Sequence, residues 1–259
     1  MTTVLFNSQK GGTGKTTLST TTAAFLAARG YRVLLIDFDP QGHVALSFGL
    51  DKAPKLYDVM VRGVPIEECV VLLDRESYAP DNANAGPLYI LRGNAETQAI
   101  PSQVSDMDTL REHIEDLEDE IDVAIIDTAP AAGALLTYAF IAADLVVVPT
   151  ELEHLSIDGV AGTINACTRF GARLLAIQPN KAHVTAVLHQ EYRRILEEGG
   201  AKFGWTIWPN IHNRVELAEA SAMMRAIWMV NGPMSKARQE VLSFANRVNA
   251  VLQLKVPND

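Results

Sequence analysis

Cysteine is nearly absent from this chain: Cys69 and Cys167 are the only two among 259 residues. Neither stands in a CxxC pair or beside clustered histidines. That excludes a disulfide framework and a zinc site built from Cys and His, and the reading is two reduced, partly buried thiols. Long apolar runs are missing as well, and none approaches the ~20 residues of a membrane-spanning helix. The start of the chain carries no basic leader and no small-residue cleavage site, so a cytosolic protein is expected. Basic residues are in deficit, 22 Lys+Arg against 31 Asp+Glu for a net charge of −9, which argues against a protein that is basic all over. The deficit is uneven. Residues 1–168 hold 10 basic and 24 acidic side chains, a balance of −14, whereas residues 169–259 hold 12 and 7, a balance of +5. Such asymmetry can mark a surface that faces an acidic polymer. Internal repeats, low-complexity tails and linkers are absent, so one domain spanning 1–259 is expected.

What is present is a series of short, wholly apolar runs: Val4–Phe6, Val33–Ile36, Leu88–Leu91, Val123–Ile126, Leu145–Val148 and Leu174–Ile177. Runs that are apolar throughout, without alternation, are the pattern of parallel strands buried on both faces. Between them lie stretches with helical spacing: Thr16–Arg29 closed by Gly30, Met107–Glu120, Ala134–Ala142, Leu155–Phe170, Val184–Glu198 and Val215–Trp228, with Ser235–Leu254 last. Strand–helix alternation predicts an α/β fold with a doubly wound, mostly parallel sheet flanked by helices. The Pro/Gly/Asn-rich stretch Tyr78–Pro87 reads as a surface loop or connection, and the acidic run Asp116–Asp122 as a solvated helix end.

The chemistry concentrates in Gln9-Lys10-Gly11-Gly12-Thr13-Gly14-Lys15-Thr16-Thr17, which follows a strand and opens a helix. Phosphate oxygens need several converging backbone N–H groups. Glycines allow the close approach, and the helix N-terminus adds partial positive charge. In this setting Lys15 is expected at the β- and γ-phosphates, the Thr16 hydroxyl on Mg²⁺, and Thr17 near the α-phosphate. Two strands end in aspartates: Val33–Ile36 runs into Asp37-Phe38-Asp39-Pro40-Gln41-Gly42-His43, and Val123–Ile126 into Asp127-Thr128-Ala129-Pro130. Carboxylates at the carboxyl ends of parallel strands sit at the ligand crevice. Asp37 and Asp39, two apart, would face the magnesium and the attacking water together if the chain stays extended. Cradle, metal and water-facing carboxylate are the parts of phosphoryl transfer to water, so ATP and Mg²⁺ are the expected cofactors.

The phosphate loop departs from the general pattern by having Gln9 where a glycine is usual and an added lysine, Lys10, before Gly11-Gly12. This variant resembles the deviant Walker A motif of the ParA/MinD superfamily. The resemblance implies a MinD-like P-loop ATPase fold. It also implies an ATP-sandwich homodimer in which Lys10 reaches the partner's nucleotide, and ATP hydrolysis that is slow without a partner. Asp37–Gly42 is similar to the DxDPQGN element of Soj-type members, with His43 in place of its asparagine, and implies that Asp39 orients the hydrolytic water. Val123–Pro130 resembles the family's Walker B, with Asp127 holding Mg²⁺ through a water. Pro149-Thr150-Glu151 followed by Ser156-Ile157-Asp158-Gly159 is similar to the family's stretch after the corresponding strand. Asn180 stands where members contact adenine, and Pro209–Arg214, with Pro209 and Ile211, resembles the nucleotide-proximal loop. Lys236 is similar to a basic DNA site of short ParA proteins; Arg214, Arg238 and Arg247 are further candidates.

These likenesses imply partners and a location: non-specific double-stranded DNA, a ParB-like adaptor that stimulates hydrolysis, and a cytoplasmic, nucleoid-associated protein for plasmid or chromosome partition or cargo positioning. No N-terminal helix-turn-helix extension is expected. The alternative is a MinD-like membrane-associated ATPase, which needs a free amphipathic C-terminal helix. Val241, Leu242, Phe244, Ala245, Val248, Val251 and Leu252 do form an apolar stripe, but with only Arg247 and Lys255 to flank it and Pro257-Asn258-Asp259 beyond. That favours a core-packed helix and no stable membrane association. An iron-protein relative would need cluster-bridging cysteines, which Cys69 and Cys167 do not resemble; a ligase-type synthetase fits the C-terminal motifs less well.

Overall fold

The computed structural model describes residues 1–130, 133–183, 185–223, 226–229 and 234–252, without the side chains at 155–157, 218, 221 and 222. Among these residues seven strands form one sheet: β1 (Thr2–Phe6), β2 (Val33–Phe38), β3 (Val70–Leu72), β4 (Leu88–Leu91), β5 (Val123–Thr128), β6 (Leu145–Glu151) and β7 (Arg173–Asn180), in the order β3-β4-β2-β5-β1-β6-β7. All neighbours are parallel except β3 and β4. Val33–Phe38 and Val123–Thr128 are buried residue by residue. Helices on both faces remove both sides of these strands from water, which is why they carry no polar alternation. The doubly wound, mostly parallel α/β sheet read from the sequence is the one observed.

Two apolar layers sandwich the sheet. On one face Val4, Phe6, Leu35, Ile125 and Val147 pack under α1 (Lys15–Ala28), with further cover from the C-terminal segments. On the other, Leu5, Leu34, Ile36, Ala124, Ile126 and Val148 pack with the helices inserted between β2 and β7. After α2 (His43–Ser47), which packs on the first face, those in chain order are α3 (Lys55–Arg62), α4 (Ile66–Cys69), α5 (Ile100–Gln103), α6 (Thr109–Glu115), α7 (Ala134–Ala142) and α8 (His154–Phe170). The last three are α9 (Val187–Phe203), α10 (Val215–Ala222) and α11 (Lys236–Leu252). Val44 of α2 and Val241, Phe244, Ala245, Val248 and Leu252 of α11 join the first layer. At about 1.5–3 kcal/mol for each large apolar side chain buried, that face of α11 is worth far more packed than free. Most of the C-terminal stripe is therefore core, as the sequence reading favoured, whereas Leu242 is only partly buried and Val251 is exposed.

The boundaries differ where the helical signal was weak. Met107–Glu120 shortens to Thr109–Glu115 because Asp116–Glu120 closes into turns, with Leu117 and Ile121 reaching back to the core. The helix expected from Val184 begins at Val187, and Val184 lies outside the described residues. Val215–Trp228 divides into α10 and a single 3-10 turn at Ile227–Met229, and the ends of Ser235–Leu254 at 253–254 are likewise outside. The stretch Tyr78–Pro87 is a packed connection, not an open loop. Tyr78 is buried with its hydroxyl donating to the Gly86 carbonyl at 2.7 Å, and Asn82 Nδ2 donates to Ala28 O at 2.6 Å. Strand β3 and the helices between residues 43 and 69 were not anticipated: each is three to eight residues long, too short for periodicity to register.

Candidate functional site

The carboxyl ends of β1, β2, β5, β6 and β7 converge on one rim of the sheet, and the predicted site residues gather there. The loop from β1 to α1 turns on Gly12 (φ 77°) and Gly14 (φ 91°), both left-handed, and Gly14 caps α1. Only glycine takes these dihedrals without penalty. At Gly14 space is closed too. A Cβ there would overlap Asn180 Nδ2, which donates to the Thr13 carbonyl at 2.8 Å. Asn180 Oδ1 accepts from Lys181 N at 2.9 Å, so β7 is tied directly to the phosphate loop. On the other side Gln9 lies across Gly159 and Gly162 of α8, where a Cβ at 162 would strike the Gln9 amide.

Lys15 is buried, and burial lowers its pKa, opposed by the charges of Asp127 and Asp39. Its ammonium donates to the Lys10 carbonyl at 3.3 Å. Asp127 is fully buried. Thr16 Oγ1 donates to its Oδ2 at 2.7 Å, and Ser19 Oγ donates to its Oδ1 at 3.0 Å. Asp37 is its register partner on the neighbouring strand. Burial pushes Asp37 up to about 8, with Asp127 and Asp39 adding to it, and burial pushes Asp127 up to about 7. Strand β2 ends at Phe38, so the extended geometry expected for Asp37 and Asp39 does not continue. Instead Asp37 accepts from Asp39 N at 3.3 Å and Val44 N at 3.0 Å and shapes the turn, while Asp39 accepts from Gln41 N at 2.8 Å.

This donor set suits a hard divalent cation. Asp37 and Asp127 are raised because burial leaves their charged forms short of compensating positive charge, which a divalent cation would supply, and Mg²⁺ takes few protein oxygens, filling its shell with water and phosphate. Thr16, Asp127 and Asp37 are the residues positioned to hold one.

Lys10 is folded back onto the same chain. It pairs with Glu151 at 2.7 Å and Glu153 at 2.5 Å, and Lys181 joins Glu151 at 3.2 Å. Burial works to lower the Lys10 pKa and the two carboxylates outweigh it, leaving it raised. Asn180, Ile211, Gly14, Thr17 and Leu217 border a cavity of about 140 Å³ beside the loop. Pro209 does not line it; its carbonyl accepts from Gln178 Nε2 at 2.9 Å and fixes the loop leading to Ile211. Thr13, Gly11 and Gly12 complete the cradle.

The four basic candidates separate. Lys236 and Arg247 are exposed on α11. Arg214 is half-buried and pairs with Glu240 at 2.8 Å. Arg238 must be corrected: it is buried at 6% exposure and pairs with Glu216 at 3.2 Å, so it does not present a surface cation. The side chains of Ser156 and Ile157, in the stretch after β6, lie outside the described residues. Cys69 and Cys167 are both free and buried, and burial pushes Cys167 up to about 11. Among the described residues no helix is long and apolar enough to cross a membrane.

Sequence reasoning missed Ser19 and Glu153. Ser19 was legible in principle, since it lies three residues from Thr16 on the same face of a helix. Glu153 carried no signal, because only the fold brings it to Lys10.

A family model described as an AAA domain (AAA_31) matches residues 1–177. The chromosome-partitioning ATPase Soj of Thermus thermophilus is 31% identical over 252 residues, 95% of this chain and 94% of that protein. The sporulation initiation inhibitor protein Soj of Bacillus subtilis is 32% identical over 165 residues, 62% of this chain and 63% of that protein. Among solved structures, a variant of McdA from Cyanothece in complex with ATP superposes with a TM-score of 0.80 at 18% identity, covering 98% of each chain. The MinD protein of Pyrococcus horikoshii with Mg-ADP gives 0.77 at 20% identity, covering 97% of each.

Proposed function

The chain belongs to the ParA/MinD-type partition ATPases, and from that premise we propose that it is an ATP-dependent switch for DNA partition or cargo positioning. The observation that carries this reading is the phosphate loop set against two buried carboxylates at adjacent strand ends. ATP would lie with its phosphates on the amides of residues 11–16 and its base toward the cavity beside Asn180 and Ile211. Relatives in the same fold have been solved with ATP and with Mg-ADP. Magnesium, when bound, would neutralise phosphate charge, held by Thr16 and through water by Asp127, with Asp37 alongside. Lys15 would stabilise charge on the β- and γ-phosphates, and Asp39 would orient the attacking water toward the γ-phosphorus.

The finer cycle follows the family. Lys10 would leave Glu151 and Glu153 to reach the nucleotide of a second copy in an ATP-sandwich homodimer. That dimer would bind double-stranded DNA without sequence preference through exposed cations such as Lys236 and Arg247, with Arg214 at the margin. A ParB-like adaptor would stimulate an otherwise slow hydrolysis and release the dimer, and on this reading the protein would sit on the nucleoid in the cytoplasm. The test is co-sedimentation with non-specific duplex under ATP, ADP and no nucleotide at two salt concentrations. ATP-dependent binding that weakens steeply with salt supports the reading, since each phosphate contact steepens the dependence of log K on log salt by about 0.9. Absence of binding with every nucleotide would remove DNA as the matrix and turn attention to anionic liposomes, although the apolar face of α11 is already committed to the core.

A further inference from the structure

We propose that Ser19 is a positioning residue of the metal site, the hydroxyl that keeps Asp127 aimed at the nucleotide once Thr16 turns to the metal. The inference rests on the ATP–magnesium reading above. Both oxygens of Asp127 are occupied by hydroxyls of α1, Oδ2 by Thr16 Oγ1 at 2.7 Å and Oδ1 by Ser19 Oγ at 3.0 Å. The two bonds are not equivalent. Thr16 stands at the first turn of α1, beside the phosphate cradle, and its hydroxyl is the one within reach of a phosphate-bound cation. A hydroxyl oxygen that ligates a cation can still donate its proton, but its direction is then set by the metal and no longer by the carboxylate. Ser19 lies a full turn deeper, wholly buried, and has no path to a ligand. Its bond to Oδ1 is the one that persists in both states.

Helix chemistry makes the residue informative. In a helix interior serine is less favourable than alanine by a few tenths of a kcal/mol. Ser19 Oγ also stands 3.0 Å from Thr16 O, the alternative acceptor for its single proton, but that carbonyl already accepts from Thr20 Oγ1 at 2.6 Å, which leaves the Ser19 proton for Asp127. A residue serving only α1 would be served as well by alanine. The partner that alanine cannot satisfy is the Asp127 carboxylate, where a hydrogen bond to an ionised group forms the stronger, charge-assisted kind. Without Ser19, Oδ1 has no α1 donor and the carboxylate is free to rotate about its Cβ–Cγ bond, away from the direction in which it meets the metal's water shell.

The experiment measures binding of a fluorescent ADP analogue to the full chain, in EDTA and across a Mg²⁺ titration, for wild type, Ser19→Ala and Ser19→Cys. Cysteine keeps the shape and offers only a weak donor. The expected result is that both variants bind the analogue in EDTA within about twofold of wild type, while the Mg²⁺ concentration for half-maximal enhancement rises about tenfold or more, the scale of a hydrogen bond to a charged group. An unchanged Mg²⁺ requirement in both variants overturns the proposal. So does a parallel loss of affinity with and without Mg²⁺, which is what a merely structural role would give. If wild type shows no Mg²⁺ enhancement at all, the ATP–magnesium reading itself fails, and this inference with it.

Discussion

Replacing Gly14 with alanine tests whether the phosphate loop is held by its neighbours or only by its own dihedrals. Two costs are expected. The left-handed φ of 91° costs a non-glycine residue about 1–2 kcal/mol. The new Cβ would overlap Asn180 Nδ2 and drive that side chain off the Thr13 carbonyl, leaving a buried polar group unpaired at about 1–3 kcal/mol. Together these give about 2–5 kcal/mol, a large share of the about 5–15 kcal/mol by which domains are stable. Gly12→Ala is the control. Its φ of 77° carries a similar backbone cost, but the nearest atom to its Cβ is the mobile Lys181 Nζ at 3.8 Å, so it should cost only about 1–2 kcal/mol. Urea unfolding of the nucleotide-free protein measures both. In the double variant Gly14→Ala with Asn180→Ala, the overlap is gone and the effect of Gly14→Ala should shrink toward that of Gly12→Ala. Equal costs for Gly12→Ala and Gly14→Ala in the wild-type background would refute the clamp.

Arg238→Ala should lower stability by about 1–3 kcal/mol through its lost pairing with Glu216, detectable by urea unfolding. Arg247→Ala should leave stability alone and, if the DNA reading holds, reduce the salt slope of binding by about 1 in a gel-shift titration. Because Asp37 and Asp127 are raised in the folded, nucleotide-free protein, the native state keeps protons that the unfolded chain has released. Stability should therefore decline as pH rises from about 4 toward about 8, by at least ~1 kcal/mol, and Asp37→Asn should flatten the decline in a thermal melt series. If the sandwich-dimer reading holds, replacing Glu151 and Glu153 together by glutamine should free Lys10 and strengthen ATP-dependent self-association about two- to fivefold by analytical ultracentrifugation, a small effect because Glu153 is largely exposed.

The sequence announced the parts of this protein that are written locally. Val33–Phe38 and Val123–Thr128 are readable because continuous apolar runs ending in aspartate have few structural meanings, and the glycine-lysine-threonine loop because phosphate binding demands that spacing. Asp37 was placed correctly on its strand but not in its turn, since the bonds to Asp39 N and Val44 N depend on how the chain bends after Phe38. Arg238 looked like any surface cation; only the packing of α11 on α10 reveals its burial against Glu216. The carboxylates around Lys10 stand 141 and 143 residues away in sequence, a separation at which no local pattern speaks.

The sheet is finished at both margins. At one, the reversed strand β3 spans just three residues and offers little free backbone beyond β4. At the other, β7 is met by backbone bonds from the chain near Ile207 and His212, among them Ile211 N to Pro179 O at 2.9 Å. Neither border invites another strand to zip onto it, the usual route by which α/β proteins crowd into aggregates. If the proposed switch holds, copies of this protein could be gathered at high density along a polymer and still come apart, because any contact between them would be left to side chains and to whatever the strand-end rim is holding.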